Sequence, residues 1–171
     1  MDFKKLIRTV PNFPMPGIQF RDITTLLKNP QGLQSAIAEM STLLKDIDYD
    51  IVIGPESRGF IFGVPLALNM QKGFVPARKL GKLPSKTIKK TYDLEYGSNT
   101  IEVHDDALIK GQKIVIADDL LATGGTCKAI CELVKEVGCE VVASVFFIEL
   151  EELKGKKVLE PYCNVFSIVK Y

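Results

Sequence analysis

Ile114-Val-Ile-Ala-Asp-Asp-Leu-Leu-Ala-Thr-Gly-Gly-Thr126 is the stretch whose reading decides the fold. Lys113 to Ala117 is an apolar, β-branched run of strand length, opened by the turn-like Lys110-Gly111. Two adjacent carboxylates, Asp118 and Asp119, follow, and a polar glycine-bearing loop is predicted over Asp118 to Gly125. Thr126 to Val137 then reads as a helix. Ile130, Leu133, Val134 and Val137 share one face, and Gly138 is the stop. A buried strand, a short loop and a helix N-terminus make one unit of an α/β sheet.

The chemistry of that unit follows from its parts. Free N–H groups in a first helical turn, together with the helix dipole, attract anions. Gly124 and Gly125 allow close backbone approach, and the Thr123 and Thr126 hydroxyls add donors, so the loop suits a terminal phosphate. Asp118 and Asp119 can accept hydrogen bonds from vicinal hydroxyls and favour a nearby Mg²⁺. An acid pair alone can start a turn, and Thr-Gly-Gly-Thr alone can cap a helix. In one string they have the spacing of ribose 5-phosphate. Neither G-x-x-x-x-G-K-[ST] nor G-x-G-x-x-G occurs, which argues against a triphosphate hydrolase and a nicotinamide enzyme.

Outward from this string the same alternation continues. Leu33, Ile37, Met40, Leu44 and Ile47 form a helical stripe over Gln31 to Ile47, with Asn29 as cap and Pro30 in the first turn. Ile51 to Gly54 reads as a buried strand, Pro55 to Gly59 as a turn, and Phe60 to Met70 as a buried helix despite Pro65. Phe74 to Arg78 and Val141 to Ile148 are further strands, and Val158 to Tyr171 looks like a last one without chemistry. Tyr92 to Tyr96 and Thr100 to His104 flank a Gly97-Ser98-Asn99 turn and suggest a hairpin. The expected fold is α/β, a mainly parallel sheet flanked by helices, with ligands at the carboxyl ends of strands.

Composition narrows the partners. The 171 residues suit a single domain, and 22 basic against 21 acidic residues leave a charge of +1. That balance excludes the strong basic excess of a nucleic-acid binder. No stretch reaches the ~20 apolar residues of a membrane span, and Met1 to Val10 lacks a signal-peptide run, so a cytoplasmic protein is expected. Cys127, Cys131, Cys139 and Cys163 match no redox or zinc spacing and read as small buried side chains. His104, the one histidine, has no nucleophile motif beside it. Arg78, Lys79, Lys82, Lys86, Lys89 and Lys90 form a basic loop with no acid among them, able to meet a polyanion or simply face solvent.

The string from Ile114 to Thr126 closely resembles the 5-phosphoribosyl 1-pyrophosphate (PRPP) motif of the type I phosphoribosyltransferases. Phe13-Pro-Met-Pro-Gly-Ile-Gln-Phe-Arg-Asp-Ile23, Ser57-Arg-Gly-Phe60 and Leu94-Glu-Tyr-Gly97 resemble the adenine-specific branch. The likeness runs from Pro11 to about Lys154. It implies transfer of the phosphoribosyl group of PRPP to adenine, giving AMP and pyrophosphate in purine salvage. By that resemblance Ala122, Thr123, Gly124, Gly125 and Thr126 hold the 5′-phosphate, and Asp118 and Asp119 the ribose hydroxyls. Arg58, Arg78, Lys79 and Lys82 meet the pyrophosphate, whereas Lys86, Lys89 and Lys90 stay open between that role and a solvated surface. Gln19, Phe20 and Arg21 form one side of the adenine pocket and Leu120 the other. Glu95 handles the purine proton, and Tyr96 lies with it on a mobile hood. One domain spans residues 1–171, with 1–30 as the N-terminal part of the hood and 79–104 as a flexible basic loop and hairpin. Mg²⁺, held mainly by PRPP near Asp118 and Asp119, and a homodimer are also implied. Rival readings are another base specificity, a non-catalytic PRPP- or purine-sensing regulator, and a ribose-phosphate pyrophosphokinase.

Overall fold

The computed structural model describes residues 1–93 and 98–171; Leu94 to Gly97, and with them Glu95 and Tyr96, lie outside the described residues. After a 3₁₀ turn at Phe3–Leu6, strands β1 (Arg8–Pro11) and β2 (Gln19–Asp22) form a small antiparallel sheet of their own. Helices α1 (Thr24–Leu27) and α2 (Pro30–Leu44) follow, then β3 (Ile51–Pro55), α3 (Arg58–Asn69) and β4 (Gly73–Lys79). β5 (Thr87–Asp93) and β6 (Ser98–His104) pair antiparallel. β7 (Lys113–Leu121), α4 (Gly125–Glu136), β8 (Glu140–Glu149), a 3₁₀ turn (Glu151–Leu153), α5 (Gly155–Leu159) and β9 (Asn164–Lys170) complete the chain.

The main sheet has the order β5-β6-β4-β3-β7-β8-β9. The five strands from β4 to β9 run parallel, and the β5–β6 hairpin joins the β4 edge antiparallel. This is the mainly parallel α/β sheet that the sequence predicts. Its central strands are apolar on both faces because each face carries its own core. Val52, Val115 and Phe147 pack on the side of α2 and α3, with Met40, Leu44, Phe62 and Leu66. Their neighbours Ile53, Ile116 and Phe146 pack on the side of α4, with Ile130, Leu133 and Val134. Each such fully buried side chain stabilises the fold by roughly 1.5–3 kcal/mol.

Local signals place the helices. Asn29 Oδ1 accepts the Gly32 N–H at 2.9 Å and Pro30 takes the first turn, so α2 starts as expected. It ends at Leu44, before the predicted Ile47, which still packs on the core from the following loop. The β1–β2 pair is tied down by Asp22. Its carboxylate accepts from the Thr24 N–H and from Arg8, and these bonds draw its pKa down to about 2.

Several predicted boundaries need correction. β7 does not stop at Ala117: Asp118 pairs with Phe146 and Leu120 with Ile148, so the acids stand in the strand and the loop shrinks to Ala122–Gly124. The ladder with β8 overrides the turn preference of two aspartates. The basic loop ends early, because Thr87 to Lys90 belong to β5, registered against Ile101 to His104. α3 begins at Arg58 inside the predicted turn, and α5 takes Val158, which the sequence assigns to the last strand.

Candidate active site

The carboxyl ends of β3 and β7 lie side by side in the sheet, and the chemistry-bearing residues gather there. The Asp119 side chain is 3% exposed, and its Oδ2 lies 3.1 Å from Arg58 Nε without a well-aligned hydrogen bond. It becomes a buried acceptor beside a positive charge, suited to a hydroxyl donor from a ligand. Asp118 Oδ1 accepts the Asp119 N–H at 2.8 Å. Burial, and then the neighbouring charge of Asp119, push the Asp118 carboxyl well above the usual range. Burial also raises Asp119, against the opposing pull of the Arg58 guanidinium. Two crowded carboxylates held at a strand end strain against ionisation, and donors from a ligand would relieve that strain.

One loop further on, Ala122, Thr123 and Gly124 lead into the N-terminus of α4. Gly124 has φ +82°, the left-handed region that favours glycine, and a Cβ there would stand 3.0 Å from the Gly155 carbonyl. Gly155 is tighter still: its own Cβ would meet the Ala122 carbonyl at 2.2 Å. α5 therefore braces the loop from behind by backbone-to-backbone contact. No acid occupies the first turn of α4, which leaves its N–H groups open to an anion. A cavity of 610 Å³ opens over this loop, lined by Asp118, Leu120, Ala122 to Lys128, Glu132 and Tyr92 among others.

The cations sit around β3. Arg58 opens α3 and is half-exposed, so its guanidinium can turn from Asp119 to an anion. It also lies 5.8 Å from the Phe20 ring, which links the small sheet to the site. Glu56 pairs with Arg78, Nε to Oε2 at 3.2 Å, and accepts the Lys79 N–H at 3.0 Å. Burial would raise the Glu56 carboxyl, but the Lys79 N–H and Arg78 hold it below the usual range. Arg58 thus escapes an ion pair with Glu56, which Arg78 takes instead. Lys82 enters through its backbone, its N–H on Glu102 and its carbonyl accepting from Arg78. The Glu56–Ser57 peptide is cis.

The expected residues are not all brought to one wall. Leu120 lines the cavity beside the phosphate-type loop, whereas Gln19, Phe20 and Arg21 stand on β2, outside that lining. The Arg21 guanidinium lies over the Tyr171 ring at 3.9 Å, and its Nη1 donates to Thr9 at 2.6 Å. Its Nε is buried without a hydrogen-bond partner. Lys90 pairs with α4, 2.6 Å from Glu136 and 3.3 Å from Glu132. Among the described residues, no group of three His, Cys, Asp or Glu could hold a metal, and no helix is long and apolar enough to cross a membrane. Tyr92, Gly155 and Glu132 are the residues that sequence reasoning missed. Tyr92 sits two positions before the motif Leu94 to Gly97, but no spacing in the sequence aims it at Thr126.

The phosphoribosyl transferase domain model matches residues 22–170. The adenine phosphoribosyltransferase of Pseudothermotoga lettingae is 50% identical over 171 residues, 100% of each chain. The crystal structure of adenine phosphoribosyltransferase from Thermoanaerobacter pseudethanolicus has a TM-score of 0.96 at 44% identity, covering 99% of this chain and 98% of that one. That of Saccharomyces cerevisiae, complexed with an imino-altritol bisphosphate and adenine, has a TM-score of 0.89 at 38% identity, with 97% and 96% covered. On fold and full-length similarity alike, the chain belongs to the phosphoribosyltransferase family, among the adenine phosphoribosyltransferases.

Proposed function

We propose that this chain transfers the phosphoribosyl group of PRPP to adenine, releasing pyrophosphate and forming AMP. The observation that carries the reading is the acid pair on β7, with Asp119 buried and Asp118 half-buried, one short loop before the acid-free N-terminus of α4. The yeast relative holds a bisphosphorylated imino sugar and adenine, which together resemble the two reactants.

In this reading the 5′-phosphate sits against Ala122 to Thr126, and the ribose hydroxyls donate to Asp118 and Asp119. Arg58, released from Asp119, meets the pyrophosphate with Arg78, Lys79 and Lys82. Adenine stacks by Phe20, reads backbone groups of Gln19 and Arg21, and has Leu120 on its other side. The N9 lone pair forms a bond to C1 of the ribose, and the C1–O bond to pyrophosphate breaks with its electron pair. Glu95 accepts the N9 proton while Tyr96 and the rest of the hood, residues 1–30 and 79–104, exclude water.

Mg²⁺ fits this site only as a substrate-borne ion. Among the described residues the two adjacent carboxylates offer hard oxygens, but too few for a cage built by the protein. It would be held mainly by PRPP oxygens near Asp118 and Asp119, and it would offset charge on the departing pyrophosphate. Exposed Ile61, Val64 and Leu68 along one side of α3 support a homodimer, and four free cysteines suit a reducing cytoplasm.

A base panel tests the function. Purified chain, PRPP and Mg²⁺ are given adenine, hypoxanthine, guanine, xanthine or orotate, and nucleotide formation is followed. A strong preference for adenine is expected, because a 6-oxopurine reverses the donor and acceptor pattern at the backbone. Comparable kcat/KM for another base would refute the specificity. PRPP binding without turnover of any base would favour a regulator.

A further inference from the structure

We propose that Tyr92 is a positioning residue of the phosphate cradle, joining the β5–β6 hairpin to the ligand through the hydroxyl of Thr126. The inference rests on the reading of Ala122 to Thr126 as that cradle. Tyr92 Oη lies 2.9 Å from Thr126 Oγ1. Its ring edge covers the N-terminus of α4, within 3.8 Å of where a Cβ on Gly125 would stand. It also lines the same cavity as the loop. The strand that carries it is anchored to α4 about two to three turns further on, by the ion pairs of Lys90 with Glu132 and Glu136.

The direction of the hydrogen bond is fixed by the ligand. Between two hydroxyls either oxygen can donate. A phosphate dianion offers acceptors alone, so Thr126 must give it its single proton. The Thr126 oxygen then accepts from Tyr92, and a chain runs from the Tyr92 hydroxyl through Thr126 to a phosphate oxygen. Each bond polarises the next, which strengthens the contact to the anion. The coupling is reciprocal. A phosphate in the cradle holds Tyr92, and therefore the hairpin, in place. That hairpin also leads to Glu95, two residues beyond Asp93 in sequence.

A double-mutant cycle on ribose 5-phosphate affinity, measured calorimetrically, tests this. Tyr92→Phe keeps the ring over Gly125 and removes only the hydroxyl, so affinity should fall about three- to tenfold, the worth of one hydrogen bond. In a Thr126→Val background the same substitution should change nothing further, because the relay is already broken. In a Thr126→Ser background, which keeps the hydroxyl, its effect should return. Wild-type affinity in Tyr92→Phe overturns the proposal, as does an equal loss in the Thr126→Val background, which would mark a general structural role. Absence of ribose 5-phosphate binding by the wild-type chain would instead sink the reading of the cradle itself.

Discussion

Gly155→Ala should cut kcat/KM for PRPP by about 10²-fold, the scale expected when reacting groups are misplaced by about an ångström. The new methyl would stand 2.2 Å from the Ala122 carbonyl and 2.9 Å from Leu121 Cδ1. The leucine can rotate aside, but the carbonyl is backbone and cannot. Either α5 moves outward or the loop Ala122–Gly124 shifts, and Gly124 is itself packed on the Gly155 carbonyl. Overpacking of this kind also destabilises a fold by about 1–3 kcal/mol, so a lower melting temperature should accompany the lost activity. A variant with unchanged kcat/KM would show that α5 does not brace the loop.

Glu95→Gln should lower kcat by ~10²–10⁴-fold with a modest change in KM. Glutamine preserves the size and most of the hydrogen bonding of the side chain, and loses only its ability to take up a proton. The adenine ring gives up its N9 proton during transfer, so the chemical step should carry the whole effect. Steady-state kinetics with both substrates near saturation read it directly. Near-normal turnover would end the assignment of Glu95.

The fold was legible where side-chain pattern and backbone need agree. The β-branched run before Asp118, the stripe of α4 and the Asn29-Pro30 start of α2 all appear where the residues predict them. It was illegible where tertiary pairing overrules local preference. Asp118 and Asp119 favour a turn by composition, yet the ladder with β8 holds them extended, and that extension presents both carboxylates at the sheet's end. Arg8 to Pro11 and Gln19 to Asp22 are short, mixed in polarity and separated by the seven residues Asn12 to Ile18, so no two-residue hairpin turn announces that they pair. The basic run from Arg78 to Lys90 looked uniform because charge alone does not reveal partners. Glu56, just after β3, takes Arg78, whereas Glu132 and Glu136 on α4 take Lys90. Gly155 was silent for a different reason: its role is the absence of a side chain, which acquires meaning only beside the Ala122 carbonyl.

The acid pair also sets a conflict between folding and binding. A carboxyl whose pKa folding raises supports the fold while protonated, and loses that support as pH rises through its folded value. Asp118 is such a group, so ionising it works against the ligand-free fold. Asp118→Asn removes the charge and keeps an oxygen to accept the Asp119 N–H. Ribose 5-phosphate titrated into both proteins at neutral pH, alongside thermal melts, weighs the two sides. The variant should melt higher without ligand and bind about tenfold or more weakly, having lost a charge-assisted acceptor. Undiminished ribose 5-phosphate affinity in Asp118→Asn would contradict the assignment of β7's acids to the sugar.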